Sequence, residues 1–398
     1  MSAIPQLPGM KDESPDELRA RIELQDSIVS QLTDQEYLSI DTPIVQPAEL
    51  FLRKSGGELA SRMYTFDDPS GNKVSLRPEF TASVIRYCIE HLSDLNLPVK
   101  IQYSGPVFRY DEKKIYGQFN QIGAEILGSS NTMLDAESVL LASSCLLNVG
   151  LYSHNMRIVL GDVGVLQAIF SGMGLSQRAQ TFMISGLLKL KNGTTDINLL
   201  KNEAISLGLI KSVGHSDENQ LLEQDIYDEN VLGIIEDLFR DSLSNVFGAR
   251  SAEDILTRYI YKLRRGDSGN TIDQALEFIS NLSRIHGPVK ETLPKLQLLI
   301  TKYDLDKDLL QPVEKILNAI YSSADPMTAD SLILDLGLVR GIAYYTGMVF
   351  EILDVNSDLI LCGGGRYDGL IKALGAEEDV PAMGFAYNVE SMVKSLGG

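Results

Sequence analysis

Two stretches of strand-like sequence carry side chains that could bind a small charged ligand. The first places a carboxylate and a hydroxyl, Glu79 and Thr81, directly after Pro78, where a short strand turns into a helix. In the second, strand alternation puts Gln121 and Glu125 on one face. An ammonium or imidazolium group needs carboxylate acceptors of this kind. The pattern indicates a site for a small amine-bearing ligand, but a helix cap at Glu79 and an exposed sheet face would also explain it.

Two arginines lie in similar surroundings. Arg109 follows a strand, and Arg340 lies on a glycine-flanked turn just before Tyr344 and Tyr345. A planar guanidinium suits a carboxylate or a phosphate. The glycine run at 363–365 permits a close approach of the backbone. These residues favour an anion-binding pocket, whereas the alternative is a surface turn with core tyrosines.

The elements that must position these residues form an α+β pattern. A capping box begins the first helix at Ser14. Strands over 99–109 and 118–127, joined by a polar turn, predict an antiparallel hairpin. Helical patterns dominate from about 165 to 325, with a predicted helix over 252–264, before strands return. Alternating βαβ units and glycine-rich nucleotide motifs are absent, which excludes the doubly wound class and predicts no cofactor.

The charge balance limits the partners. There are 35 Lys and Arg residues against 54 Asp and Glu residues, a net charge of −19. So acidic a surface disfavours non-specific binding to nucleic acid or anionic membranes. The 3 cysteines form no CxxC pair, and the 4 histidines have no metal-ligand spacing. No apolar run approaches the roughly 20 residues that span a bilayer. We therefore expect a cytoplasmic protein without a metal site.

Taken in order, the polar stretches resemble the catalytic core of class II aminoacyl-tRNA synthetases, and within that class the histidyl-tRNA synthetases. The segments that carry the resemblance are Leu-Arg-Pro-Glu at 76–79, Phe-Arg at 108–109 with 118–125, the run 338–351 and Gly-Gly-Arg-Tyr-Asp-Gly-Leu at 364–370. The resemblance implies a class II-like antiparallel sheet flanked by helices. It divides the chain into a core at 1–165 and 329–398 and a mostly helical insertion at 166–328, without an anticodon-binding domain.

The same resemblance assigns roles to the candidate residues. It implies that the ammonium and imidazole groups of L-histidine are held by Glu79, Thr81, Gln121 and Glu125. Arg109 and Arg340 would face the carboxylate, and Tyr344 and Tyr345 would frame the ring. Pro43 matches the proline that class II chains place at their dimer interface. We therefore expect histidine binding and self-association as a dimer.

One departure from the family bears on activity. Ser391 stands where the family has an arginine that grips the ATP phosphates. Losing such a charged contact removes transition-state stabilisation. These features resemble those of a paralogue of this family, the regulatory subunit of ATP phosphoribosyltransferase. They therefore predict that the chain is a non-catalytic, regulatory subunit of that enzyme, which acts in the first step of histidine biosynthesis. It would partner the short catalytic subunit, support its activity, mediate feedback by histidine and bind no tRNA.

Two alternatives remain from the sequence. One is a histidyl-tRNA synthetase that lacks the anticodon-binding domain, which Arg109 and Arg340 support. The other is a binding module that senses an amino acid or tRNA. Histidine-dependent exchange between ATP and pyrophosphate separates the first alternative from a regulatory subunit.

Overall fold

The computed structural model describes residues 4–7, 9–53, 59–91, 95–110, 117–152, 155–210, 266–340 and 344–397. The chain divides into two compact units, Met1–Leu166 with Ile285–Gly398, and Gln167–Arg284. Residues 285–328, which the sequence reasoning assigned to the insertion, cluster with the first unit. The predicted helix over 252–264 lies outside the described residues.

The first unit contains both helices and strands. Up to residue 162 its elements are α1 (Pro15–Asp34), β1 (Leu38–Ser39), β2 (Val45–Pro47), α2 (Ala48–Leu52), β3 (Thr65–Asp67), β4 (Lys73–Leu76), α3 (Thr81–Glu90), β5 (Val99–Phe108), β6 (Gln118–Leu127), α4 (Thr132–Asn148) and β7 (Met156–Asp162). The helix α5 (Val163–Gly172) follows, and its residues from 167 onward belong to the second unit.

In its described residues the second unit consists of helices and their connections, with one isolated parallel bridge between Ile210 and Asp267. Its further helices are α6 (Gln177–Lys191), α7 (Ile197–Ser206) and α8 (Gly269–Leu282). Side chains cap their N-termini: the Ser268 hydroxyl, for example, accepts a hydrogen bond from the Thr271 amide at 3.0 Å. Phe170 and Phe278 pack edge to face in its core, with ring centroids 6.1 Å apart.

The first unit then resumes with the elements that complete its sheet. They are β8 (Gly287–Pro288), α9 (Val289–Lys302), a 3-10 turn (Lys307–Leu310), α10 (Gln311–Ser323), α11 (Pro326–Asp330), β9 (Leu332–Leu334), β10 (Met348–Asp354), β11 (Ile360–Arg366), α12 (Leu370–Ala373), β12 (Ala382–Asn388) and α13 (Val389–Gly397).

A nine-stranded sheet in the order β1-β5-β6-β12-β11-β10-β7-β9-β8 forms the centre of this unit. Its pairs are antiparallel except for β1 with β5 and β7 with β9. A smaller sheet has the order β2-β4-β3. The predicted α+β fold, an antiparallel sheet flanked by helices, is confirmed.

The predicted hairpin forms the part of the sheet that matters most for the site. β5 and β6 pair antiparallel from Val99 with Leu127 to Phe108 with Gln118. On its other side β6 pairs with β12, which places Gly384 directly opposite Glu125. The centre of the sheet thus brings together residues from the two ends of the chain.

The first helix begins as its sequence predicts. The Ser14 hydroxyl accepts from the Glu17 amide, and the Glu17 carboxylate accepts from the Ser14 amide. Leu24, Ile28 and Leu32, four residues apart, form the buried face of α1.

Pro43 lies between two short strands that belong to different sheets. Residues 38–39 join the large sheet and 45–47 the small one. Because proline has no amide hydrogen to donate, it cannot continue a ladder, and the chain changes sheets at this point.

Candidate functional site

A cavity on the central strands of the large sheet contains every ligand-binding residue predicted from the sequence. Its lining residues include all eight: Glu79, Thr81, Arg109, Gln121, Glu125, Arg340, Tyr344 and Tyr345. They come from the turn before α3 and its first residue, from the residue after β5, from β6, and from the segment before β10. The structure therefore brings together residues that lie far apart in the sequence, all within the first unit.

Glu125 is the centre of the hydrogen bonding in this cavity. Its Oε1 accepts from the Thr81 hydroxyl at 2.8 Å and from the Tyr103 hydroxyl at 3.0 Å. Its Oε2 accepts from the Tyr367 hydroxyl at 2.5 Å. Burial raises the pKa of Glu125 to about 8, and the bonds from Tyr367, Thr81 and Tyr103 oppose that rise. This carboxyl group can thus change its protonation state close to neutral pH.

Glu79 supplies a second buried carboxyl group. It is 3% exposed and accepts from the Ala82 amide at 3.0 Å, which caps the start of α3. Burial raises its pKa, while the Ala82 amide and the nearby Arg109 guanidinium oppose the rise. Glu79 therefore caps the helix, as the alternative interpretation held, and its carboxylate also lines the cavity.

The two arginines are held by backbone carbonyl groups. Arg109 Nε donates to the Pro78 carbonyl at 2.7 Å, and Arg340 Nη1 donates to the Phe350 carbonyl at 3.2 Å. Arg340 also lies 3.6 Å from the Glu351 carboxylate. Burial lowers the pKa of Arg109 to about 10, so its guanidinium remains charged at neutral pH. Positive charge in the cavity therefore accompanies the two carboxyl groups.

Aromatic rings form one wall of the cavity. The centroids of Tyr344 and Tyr345 are 5.0 Å apart, and Tyr344 meets Tyr367 edge to face at 5.5 Å. Burial raises the pKa values of Tyr344 and Tyr345, so both keep their hydroxyl protons at neutral pH. These rings frame a space suited to a flat ligand group.

An unsatisfied amide oxygen also lies in the cavity. Gln121 Oε1 is buried and accepts no hydrogen bond from any part of the chain that the structure describes. A buried acceptor without a donor costs free energy, about 1–3 kcal/mol. A ligand N–H group would remove that cost.

Glycines make room for the charged side chains on the sheet. A Cβ at Gly384 would overlap the Glu125 carboxylate, and one at Gly363 would overlap the Arg340 guanidinium. The glycine run at 363–365 lies within β11, where neighbouring groups approach its backbone closely, as the sequence predicts. Its glycines serve close packing across the sheet rather than a bend.

Six lining residues of this cavity were not predicted as ligand contacts: Tyr103, Gly363, Tyr367, Gly384, Phe385 and Ala386. Tyr103 and Tyr367 both bond Glu125, and Gly384 lies beneath it. The alternation of side chains along the predicted hairpin could have placed Tyr103 on the same face of the sheet as Glu125. Only the pairing of β6 with β12 shows the role of Gly384.

Two other predicted positions lie outside this cavity. Pro43 is exposed between β1 and β2. Ser391 is 5% exposed near the start of α13, where its amide donates to Asn388 Oδ1 at 3.0 Å. A neutral hydroxyl there cannot replace a guanidinium as a charged phosphate contact.

A larger cavity, of about 690 Å³, lies beside the start of α1 and is bordered by Lys394 of α13. Four of its charged groups form two pairs: Lys11 with Glu17 at 2.5 Å, and Arg21 with Glu13 at 2.7 Å. We assign the site to the smaller cavity because its buried carboxyl and guanidinium groups face a common space. Among the described residues, no group of three His, Cys, Asp or Glu side chains could hold a metal ion.

The fold and this cavity define a catalytic core of the class II aminoacyl-tRNA synthetase type. The structure named as an ATP phosphoribosyltransferase regulatory subunit/histidyl-tRNA synthetase from Bacillus halodurans matches with a TM-score of 0.65 and 21% identity, over 100% of this chain and 84% of that one. Histidyl-tRNA synthetase from Nostoc matches with a TM-score of 0.64 and 18% identity, over 100% and 76%. At these identities the likeness concerns the fold.

The sequence itself belongs to the histidyl-tRNA synthetase family. The family described as Histidyl-tRNA synthetase matches residues 9–221 and 245–392, so the resemblance continues into the predicted insertion. The histidine–tRNA ligase of Sulfurisphaera tokodaii is 31% identical over 96% of this chain and 72% of its own length. That of Sulfolobus acidocaldarius is 27% identical over 98% and 74%.

The expectation that the chain is not an enzyme, and lacks aminoacylation activity, is wrong on this comparison. Relatives that match nearly its whole length at 25–31% identity are named histidine–tRNA ligase, which is an enzyme. That prediction depended on Ser391 and on the expected lack of an anticodon-binding domain, and both weigh less than a match over nearly the whole chain. In the described residues, no helix is long and apolar enough to cross a membrane.

Proposed function

We propose that the chain binds L-histidine in the cavity around Glu125 and activates it in the manner of a histidine–tRNA ligase. The observation that carries the proposal is the convergence of two carboxyl groups, two guanidinium groups and a tyrosine wall in one cavity. Histidine offers complementary groups: an ammonium, a carboxylate and a flat ring with N–H donors. The names of the relatives support the same ligand.

Each side of the cavity suits one part of this ligand. The carboxyl groups of Glu79 and Glu125 match the ammonium and the ring N–H groups. The guanidinium groups of Arg109 and Arg340 match the carboxylate, because a planar fork can bind both of its oxygens. The free acceptor of Gln121 matches a further N–H donor.

Two measurements test the proposal. Isothermal titration calorimetry should detect binding of L-histidine, with L-alanine as the control ligand that lacks the ring. Exchange of radioactive pyrophosphate into ATP should then depend on added histidine. Absence of histidine binding would overturn the proposal at its first step, whereas binding without exchange would remove only activation.

A second candidate function follows from Ser391. A histidine-binding chain without a charged phosphate contact at this position suits histidine-responsive regulation of a short-form ATP phosphoribosyltransferase. The name of the Bacillus halodurans structure includes the words ATP phosphoribosyltransferase regulatory subunit. Co-purification with the short catalytic chain, followed by its activity with and without histidine, tests this role. Failure of the two chains to associate would eliminate it.

We also propose that the chain forms a dimer through the surface around Pro43. Three apolar side chains there are exposed: Leu38 at 60%, Ile44 at 40% and Val45 at 47%. β2 lies at the edge of the small sheet, with β4 as its neighbour on one side. Exposed apolar side chains beside an edge strand favour pairing with another chain.

A further inference from the structure

Tyr103, which was not predicted as a ligand contact, touches the carboxyl group at the centre of the cavity. It is 2% exposed on β5 and lines the same cavity as Glu125. Its hydroxyl donates to Glu125 Oε1 at 3.0 Å. A buried tyrosine hydroxyl commonly needs a partner, and here the partner is the carboxylate itself.

The ring of Tyr103 is fixed on two sides. It stacks on Phe80, with centroids 4.4 Å apart and planes 14° from parallel. It also lies against Gly123, where a Cβ would overlap the ring and its hydroxyl. Phe80 is itself fully buried and has the Arg77 guanidinium over its ring at 3.8 Å. The hydroxyl of Tyr103 consequently has a defined position toward Glu125.

The donors are distributed unequally over the two carboxylate oxygens. Oε1 of Glu125 accepts two hydrogen bonds, from Thr81 and Tyr103, whereas Oε2 accepts one, from Tyr367. A carboxylate oxygen offers about two acceptor directions. Protein donors therefore occupy both acceptor directions of Oε1. One of the two acceptor directions of Oε2 remains available to a donor of the ligand.

We propose that Tyr103 is a positioning residue that orients Glu125 and fills its Oε1, so that Oε2 is the oxygen that receives an N–H group of the ligand. The inference rests on the proposed histidine binding for the identity of the ligand. Its structural part, the action of Tyr103 on Glu125, holds for the free protein as well.

Several groups act electrostatically on Glu125 and must be considered together in any titration. They are Tyr37, Glu79, Cys88, Tyr103, Tyr344, Tyr345 and Tyr367. Glu79 is a carboxyl group, and it raises the pKa of Glu125. Its own titration must be separated from that of Glu125 by a variant that lacks the Glu125 carboxyl.

The test is the substitution Tyr103→Phe, which keeps the ring and its stacking on Phe80 but removes the donor. In the ligand-free full chain, carboxyl-carbon NMR of labelled glutamates follows the titration of Glu125, with its signal assigned by its loss in Glu125→Gln. We expect the titration midpoint to move upward in Tyr103→Phe, because the ionised form loses a donor. An unchanged midpoint would overturn the proposal whether or not histidine binds.

A second arm measures L-histidine affinity by calorimetry. Tyr103→Phe should weaken binding about 10-fold, the usual effect of a hydrogen bond to a charged group. The matched control is Tyr387→Phe, which removes another buried hydroxyl, bonded to the Ala142 carbonyl at 3.1 Å and outside the cavity. Equal affinity of Tyr103→Phe and the wild type would contradict the proposal, whereas no binding by the wild type would contradict only the proposed function.

Discussion

The Tyr367 hydroxyl donates a 2.5 Å hydrogen bond to Glu125 Oε2, which links the residue after β11 to the C-terminal part of β6. Together with the donors on Oε1, it surrounds one buried carboxyl group with hydroxyl donors. Burial favours the protonated form of Glu125 and the donors favour the ionised form. The balance between them determines how the cavity responds to pH and to a cationic ligand.

We expect the affinity for L-histidine to rise between about pH 6 and pH 8. The pKa of Glu125 is raised to about 8, so below that pH the group is protonated and must release its proton before it can pair with a cation. Calorimetry in two buffers of different ionisation heat should therefore detect proton release on binding. In the Glu125→Gln variant the carboxyl group is absent, so the pH dependence of its affinity reflects the titration of the ligand imidazole, near pH 6.5. A wild-type profile that matches this variant would contradict the prediction.

The substitution Glu125→Gln should weaken histidine binding by about 1.5–3 kcal/mol, since it replaces a charged acceptor by a neutral amide of the same shape. Calorimetry at pH 8 measures the loss. Glu49→Gln is the control: Glu49 is an exposed carboxylate that pairs with Arg53 at 2.6 Å and does not line the cavity. Equal losses in the two variants would show that the effect is not specific to the cavity.

Gly384→Ala should abolish histidine binding. Its Cβ would overlap the Glu125 carboxylate and approach the Ala124 carbonyl oxygen to 2.8 Å, so the carboxylate would have to move. Overpacking of this kind typically costs about 1–3 kcal/mol of stability, and thermal unfolding should record it. Gly397→Ala, at a position with nothing within 4 Å, is the matched control. If Gly384→Ala bound L-histidine with the affinity of the wild type, binding would not depend on the present position of the Glu125 carboxylate.

Val45→Asp should convert the proposed dimer into monomers, because it places a charge on the apolar surface beside Pro43. Sedimentation velocity measures the change. Leu298→Asp, at a side chain that is 71% exposed on α9, introduces the same charge elsewhere. If the wild type already sediments as a monomer, the dimer proposal fails.

Features specified by neighbouring residues were predictable from the sequence. The capping box at Ser14 and the β5–β6 hairpin depend on short-range patterns, and the structure contains both. The eight predicted ligand contacts followed from the order of the family motifs. By contrast, the partners of Glu125 depend on which strands meet in the sheet. The pairing of β6 with β12 joins distant parts of the chain, and no local pattern indicates it.

The glycines beneath the cavity also affect how the site tolerates mutation. Gly363 and Gly384 carry no functional group, yet any side chain there would displace Arg340 or Glu125. A random substitution at either codon therefore damages the site as surely as the loss of the charged residue itself. The number of positions at which a single mutation can disable this cavity is thus larger than its set of polar residues. Surveys of variants that score only charged or polar side chains would underestimate that number.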